Sequence, residues 1–440
     1  MNLSGQNIAI LGAGTSGFAA AELARSRGAG MVRVYDSGDA EKLAPRKSVF
    51  AEIGVDSVFG EAALSAPANT DLTIISPGID AGWPIGKAFA DTGVPLIGEI
   101  EFAWQCNPDT PVIAITGTNG KTTTTELTAD ILNGVGLKAV AAGNVGTAYA
   151  EVVLSGVDYD AIVVEVSSFQ LETIATFRPS VALWMNFAAD HMDRYTALED
   201  YRNAKLRIFE NQTADDFAIV KSGEVIETVA QKITFSGFSD DADLTLNDGT
   251  IFYHADSILE FRSTRLNGKH NAENVMAAMA AVQCRGIEYG AMEETIRSFQ
   301  APPHRCEIVA TVADVTFVND SKATNLHALE SSLRGQEAPV ILIVGGKDKG
   351  LDYNEITPIV GDATTRIFCI GEMRERIFEA WKDVAACEIS DSLESAVNSA
   401  ASAATKGQTV LFSPGTSSFD MFSSYGERGE AFRAAVNHLN

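Results

Sequence analysis

Short apolar runs alternate with helix-length amphipathic segments along most of the chain. Ile8–Leu11 reads as a buried strand, followed by a glycine turn and a helix to about Arg27. Val32–Tyr35 and Leu72–Ile75 read as further strands of the same sheet. After the punctuation Asn107-Pro108-Asp109-Thr110-Pro111, Val112–Ile115 is again a strand ending in a glycine loop, with more strands at Ala139–Ala142, Ala161–Val166 and Val181–Phe187. Beyond Tyr201 the pattern turns β-like and irregular until a helix around Asn271–Cys284. Past Ala301-Pro302-Pro303, strand-loop-helix units resume at Val315–Val318, Val340–Val344, Arg366–Ile370 and Val410–Phe412. Strands alternating with helices predict an α/β protein with mainly parallel sheets. The breaks divide it into three domains, residues 1–98, 99–301 and 302–440.

Composition changes the picture in one respect. Of 440 residues 46% are hydrophobic, enough for several cores, but 33 Lys and Arg face 58 Asp and Glu, a net charge of −25. That field argues against nucleic acid and anionic membrane surfaces as partners, so an anionic ligand must be met by local cations, helix N-termini or metal ions. No run approaches the roughly 18 uninterrupted apolar residues of a membrane span. The opening Met1-Asn2-Leu3-Ser4-Gly5-Gln6 has no basic region and reads as no signal peptide. Cys106, Cys284, Cys306, Cys369 and Cys387 are scattered and form no CxxC pair, which suits reduced thiols and a cytoplasmic location.

The sharpest chemical signal is Gly117-Thr118-Asn119-Gly120-Lys121-Thr122-Thr123, between the strand at 112–115 and a helix carrying Leu127, Ile131, Leu132 and Val135 on one face. Such a loop aims backbone N–H groups at phosphate oxygens; Lys121 reaches the terminal phosphates and Thr122 is placed to ligate Mg²⁺. Ile115 stands where the longer form of this loop has its first glycine. Glu165 ends the strand at 161–166, and in a parallel sheet strand C-termini lie beside the phosphate loop, where a carboxylate can hold Mg²⁺. His191 and Asn144 also follow strand ends.

Thr196-Ala-Leu-Glu199 forms a capping box ahead of a helix on which Tyr201, Lys205 and Ile208 share one face. Lys205 either snorkels, covering apolar surface with its stem, or is buried with a lowered pKa. At an ordinary pKa near 10.4 roughly one amine in 2,500 is neutral at pH 7. A drop of about three units makes it roughly one in four. A neutral amine can add CO₂ and become an anionic carbamate, a type of metal ligand.

Gly12-Ala-Gly14-Thr-Ser-Gly17, with Asp36 ending the next strand, fits the glycine fingerprint of a Rossmann-like domain. Its physics specifies a closely approached diphosphate, which NAD or a UDP group satisfies equally. An NAD-dependent oxidoreductase would leave the second phosphate loop unexplained, and a non-catalytic ATP-dependent sensor is a further alternative.

Taken together, Gly117–Thr123, Glu165-Val-Ser-Ser-Phe-Gln-Leu-Glu172, Asp190-His-Met-Asp-Arg-Tyr195, His270-Asn-Ala-Glu-Asn274, His304-Arg305, Asn319-Asp-Ser-Lys-Ala-Thr-Asn325, Gly345-Gly-Lys-Asp-Lys-Gly350 and Ser413-Pro-Gly-Thr-Ser-Ser-Phe-Asp420 resemble the Mur ligases of peptidoglycan synthesis, the last three its D-glutamate-adding branch. The resemblance implies a Rossmann-like UDP-binding first domain, a P-loop ATPase-like central domain and a Rossmann-like third domain. It also implies ATP-dependent addition of D-glutamate to UDP-N-acetylmuramoyl-L-alanine through an acyl phosphate. In those terms Gly117, Thr118, Asn119, Gly120, Lys121, Thr122, Thr123, Asn274, Arg305 and Asp320 contact ATP. Thr122 and Glu165 hold one Mg²⁺, and His191 with carbamylated Lys205 belongs to a second. Lys121, Glu165, His191 and Lys205 form the catalytic set. Thr15, Ser16, Asp36, Ser37 and Gly78 take the UDP group, and Asn144 and Ser167 the sugar-peptide. Lys322, Thr324, Lys349, Ser418 and Tyr425 take D-glutamate; their lysines and hydroxyls suit a dicarboxylate. A monomer acting on small molecules follows as the expectation.

Overall fold

The structure, a computed structural model, describes residues 1–65, 69–192, 194–336 and 338–439. It divides into two compact units. The first holds Met1–Phe187, Glu199–Leu259 and Glu273–Arg297; the second holds Ala188–Leu198, Glu260–Ala272 and Ser298–Asn440.

The chain begins with β1 (Asn7–Leu11), α1 (Thr15–Ser26), β2 (Met31–Asp36), α2 (Ala40–Glu52), β3 (Asp56–Phe59), β4 (Leu72–Ile75), α3 (Pro84–Ala90) and β5 (Leu96–Gly98). These strands form a parallel sheet in the order β3-β2-β1-β4-β5. Then follow α4 (Glu99–Cys106), β6 (Val112–Thr116), α5 (Lys121–Gly134), β7 (Ala139–Gly143), α6 (Tyr149–Leu154), β8 (Ala161–Glu165), α7 (Ser168–Leu171), β9 (Val181–Trp184) and α8 (Leu198–Leu206). The run closes with β10 (Phe217–Lys221), β11 (Gln231–Ser236), β12 (Leu244–Asn247), β13 (Thr250–Tyr253), β14 (Asp256–Glu260), α9 (Lys269–Gln283) and α10 (Glu293–Ser298). Their sheet has the order β14-β13-β12-β11-β10-β9-β6-β8-β7, parallel from β7 through β12.

Both sheets belong to one unit because one core runs through them. Ile8, Ile10 and Val34 continue through Ile100 and Phe102 to Tyr149, Val152, Val164 and Trp184, with α1, α4 and α6 packed on one another.

In the second unit β15 (Glu307–Val312), β16 (Val315–Asn319), α11 (Leu326–Arg334), β17 (Val340–Gly345), α12 (Thr357–Ala363), β18 (Thr364–Ile370), α13 (Arg374–Trp381), β19 (Ala386–Ile389), α14 (Leu393–Ala403), β20 (Thr409–Phe412) and α15 (Tyr425–Asn437) form a sheet of order β15-β16-β20-β17-β18-β19. Only β15 runs antiparallel. On β17, Leu342 and Val344 pack to one side with Leu329 and Trp381, while Ile341 and Ile343 pack to the other with Phe412 and Phe432. Burial on both faces explains why these strands read as unbroken apolar runs.

One expected strand is shorter than its apolar run. The strand expected over Val181–Phe187 ends at Trp184, because Asn186 turns away to hold the 117–119 loop. The helix expected after the capping box is present as α8, from Leu198.

Candidate active site

β6 lies between β8 and β9, so the chain leaving it emerges where the strand order reverses, the ligand-binding edge of such sheets. There Gly117 at φ 149° and Gly120 at φ 86° lead into α5, which starts at Lys121. A Cβ on Gly117 would stand 2.8 Å from Met185 Cβ, and one on Gly120 2.4 Å from Asn274 Oδ1. Both glycines are therefore required by backbone conformation and by close approach. Asn186 clamps the turn: its carbonyl accepts from Thr118 N (3.0 Å), its Oδ1 accepts from Asn119 N (2.8 Å) and its Nδ2 donates to Asn119 O (3.0 Å). Thr122 and Thr123 are buried in the first turn of α5, and Thr124 Oγ1 donates to Asn274 Oδ1 at 3.3 Å.

Two ammonium groups meet on this loop. Lys121 Nζ donates to Gly117 O and Thr118 O, each at 2.9 Å, and Lys205 Nζ donates to the same Gly117 O at 2.9 Å. Lys205 is 2% exposed, 4.7 Å from the ring centroid of Tyr201, so it does not snorkel. Two cationic side chains thus share one backbone acceptor.

Glu165, opposite Ile115 in the sheet register, is 2% exposed. Its Oε1 accepts from Asn144 Nδ2 at 3.0 Å, whereas Oε2 is buried without a partner. A buried carboxylate oxygen left unsatisfied fits a hard divalent cation, and Mg²⁺ prefers such oxygen ligands. Among the described residues no group of three His, Cys, Asp or Glu gathers as a metal site. A magnesium here would therefore rest on Thr122, Glu165 and substrate oxygens. Ser167 is the N-cap of α7, in a capping box with Gln170.

The other glycine turn follows β1, which lies between β2 and β4. Gly12 has φ 104°, and a Cβ on Gly17 would fall 1.9 Å from Gly12 O. Asp36 ties the turn, accepting from Ala13 N through Oδ2 (2.8 Å) and from Gly38 N through Oδ1 (2.9 Å). Thr15 and Ser16 open α1, and Ser37 and Gly78 follow β2 and β4. Ser76, which sequence reasoning missed, presents a buried hydroxyl without a partner against Gly12 and Gly17.

In the second unit Asp190 accepts from Lys349 Nζ (2.8 Å), Asn325 Nδ2 (2.9 Å) and the amide of His191 (2.9 Å). Burial alone would raise its pKa, but the charges of Lys349 and His191 with the hydrogen bonds of Lys349 and Asn325 prevail and lower it to about 2. Lys349 also donates to Thr324 O at 3.3 Å. Lys322 Nζ sits 3.9 Å from the Tyr425 ring centroid, and Ser418 is buried. His191 is in this unit and Lys205 in the other.

Asp320 is engaged internally. It accepts from Ser332 Oγ, Ser413 Oγ (2.8 Å) and Cys306 N (3.3 Å), and burial pushes its carboxyl up to about 6. Arg305, half-buried, is flanked by His304 and Cys306 at φ 66° and 49°, a left-handed backbone that costs about 1–3 kcal/mol per residue. Arg428, also missed, is fully buried and joins two loops, donating to Ser321 Oγ (3.0 Å), Ser321 O (2.7 Å) and Thr416 O (3.0 Å).

Residues 115–282 match the Mur ligase middle domain and residues 304–415 the Mur ligase glutamate ligase domain. The chain is 37% identical to the UDP-N-acetylmuramoylalanine–D-glutamate ligase of Geobacter metallireducens, over 100% of this chain and 99% of that protein. It is 38% identical to the ligase of the same name from Geotalea uraniireducens, over 100% and 99%. Among solved structures it resembles the UDP-N-acetylmuramate–alanine ligase MurC of Thermotoga maritima, with a TM-score of 0.61 at 17% identity over 99% and 100% of the two chains. It also resembles the MurF ligase of Thermotoga maritima in complex with ADP, with a TM-score of 0.61 at 15% identity over 100% and 96%. A phosphate loop at the sheet's reversal point, backed by similarity that runs the length of the chain, places this protein in the Mur ligase family.

Proposed function

We propose that this chain is the ATP-dependent ligase that adds D-glutamate to UDP-N-acetylmuramoyl-L-alanine, acting as a monomer in the cytoplasm. The L-alanyl carboxylate attacks the γ-phosphorus of ATP, the bond to the bridging oxygen breaks, and ADP leaves. The amine of D-glutamate then attacks the acyl carbon, phosphate departs and the nitrogen loses a proton.

The first step brings two anions together, and unit like charges about 4 Å apart repel by about 4 kcal/mol at an effective dielectric of 20. Lys121 offsets part of this, and the buried loop of backbone N–H groups holds the phosphates in line. Thr122 and Glu165 would hold a magnesium ion, which would supply the remaining charge neutralisation. Asn274, Arg305 and Asp320 are assigned to the nucleotide. Lys205, as a carbamate formed by addition of CO₂, would attract rather than repel Lys121, and the family resemblance assigns it and His191 to a second magnesium. Thr15, Ser16, Asp36, Ser37 and Gly78 hold the UDP group, Asn144 and Ser167 the sugar-peptide, and Lys322, Thr324, Lys349, Ser418 and Tyr425 the D-glutamate. These roles go with domains at 1–98, 99–301 and 302–440.

The observation that carries the reading is the meeting of Lys121 and Lys205 on Gly117 O, in the same sheet edge as the unpaired Glu165 oxygen. The test is phosphate release from ATP with UDP-N-acetylmuramoyl-L-alanine and a panel of amino acids. Sustained release that requires D-glutamate is the expected result. Release independent of the acceptor, or selective for another amino acid, would contradict it.

A further inference from the structure

The helix that leaves the N-terminal sheet, α4, carries Glu99 and Glu101, 2% and 0% exposed. Buried carboxylates need donors, and these two find theirs differently. Glu101 accepts from the amides of Ala175 (2.9 Å), Thr176 (3.0 Å) and Phe177 (2.8 Å), from the Thr176 hydroxyl and from Gln105 Nε2 (2.6 Å). Glu99 has one donor, the amide of Ala150, at 2.6 Å. That amide lies in the first turn of α6, whose N-cap, Ala148, supplies no side-chain hydrogen bond. Glu99 therefore caps α6 from another helix.

Just before α6 lies the loop that carries Asn144. Gly143 N donates to Thr147 O (2.9 Å) and Asn144 N to Glu165 O (2.9 Å). Asn144 Nδ2 reaches Glu165 Oε1 at 3.0 Å. Gly143 is pressed on the strand end so tightly that a Cβ would lie 2.3 Å from Glu165 O. The loop is pinned at one end by Glu165 and at the other by the start of α6.

We infer that Glu99 is a positioning residue: by capping α6 it fixes the 143–148 loop and thereby sets Asn144 against the Glu165 carboxylate. The inference rests on the proposed ligase reading for its effect on turnover, but the geometry of the loop stands apart from it.

The cap is sensitive to protonation. Burial raises the Glu99 carboxyl to about 7, opposed by the single Ala150 N–H. The titratable group facing it is the buried Tyr149 hydroxyl on α6, which Cys106 at the end of α4 also approaches; Arg27 after α1 donates to Cys106 O. Met1, through its ammonium, donates to Gln105 O. Among the described residues no ion pair holds Glu99 charged. A charged acceptor makes the stronger hydrogen bond, so the cap tightens as pH rises through about 7. Overall stability moves the other way. A carboxyl raised on folding stabilises fully below its unfolded pKa of about 4.3, and that contribution is lost as pH rises through the folded value.

The test compares Glu99→Gln, which keeps an acceptor but no charge, with Glu99→Ala. Amide hydrogen exchange at 143–150 reads the positioning without reference to catalysis; steady-state kinetics across pH 5.5 to 8.5 reads its consequence. In Glu99→Ala, protection at 143–150 falls, kcat drops by about tenfold and KM for ATP stays within about twofold. In Glu99→Gln, protection stays at the parent's low-pH level at every pH and the inflection near pH 7 disappears. Unchanged protection in Glu99→Ala, or an unchanged pH profile in Glu99→Gln, would overturn the inference. A parent protein that shows the exchange pattern but makes no product would instead count against the ligase reading.

Discussion

β1 and β6 each end in a glycine turn that opens a helix where the strand order of their sheet reverses. Behind β1, the turn is tied by Asp36 and faces the unpartnered hydroxyl of Ser76. Behind β6, it collects Lys121, Lys205 and the clamp of Asn186, with Glu165 on the adjacent strand. The backbone at both places can receive phosphate. What differs is the charge brought to it, and phosphoryl transfer, unlike diphosphate binding, requires cations where negative charge develops. On the proposed function, one turn holds a substrate and the other activates one.

The largest break in this contrast is Lys121→Ala. ADP formation should fall by about a thousandfold or more while the UDP-linked acceptor still binds, as calorimetry would show. Lys205→Ala should lower turnover by about a hundredfold, and short-chain carboxylic acids should restore part of it by standing in for the carbamate. An intact protein of unmodified mass with no such rescue would remove the carbamate from the account. Asn186→Ala, which frees the 117–119 turn, should raise KM for ATP by about tenfold and leave that for the acceptor unchanged. Asp36→Asn should do the reverse, raising KM for the acceptor by about fivefold, the loss of one hydrogen bond in the first turn. A shift in both constants from either substitution would mean that the two turns do not act separately.

The phosphate loop was legible because strand, glycines, lysine and helix are contiguous and each obeys a local rule. Burial of Lys205 was half legible. The spacing of Tyr201, Lys205 and Ile208 put it on an apolar face, but whether its ammonium stays inside depends on Gly117 O, far away in sequence. Asn186 was hidden for the same reason; its partners precede it by a whole crossover, and its apolar neighbours made it look like strand. Glu99 and Glu101 were invisible because alternation with Ile100 and Phe102 suggests a solvent-facing stripe, whereas their carboxylates point into backbone donors. The short strands β12 to β14 carry too few apolar residues to show a period. In the second unit Lys349 is legible as a cation, but its partner Asp190 is not, since the pair joins segments distant in the chain.

In the proposed reaction the substrate's own carboxyl accepts the phosphoryl group on the 117–123 loop. Acceptor labelled with ¹⁸O in the L-alanyl carboxyl, turned over with ATP and D-glutamate, tests it by mass analysis of the released phosphate. The expected product is phosphate carrying one labelled oxygen. Unlabelled phosphate, formed along with the ligated product, would contradict it.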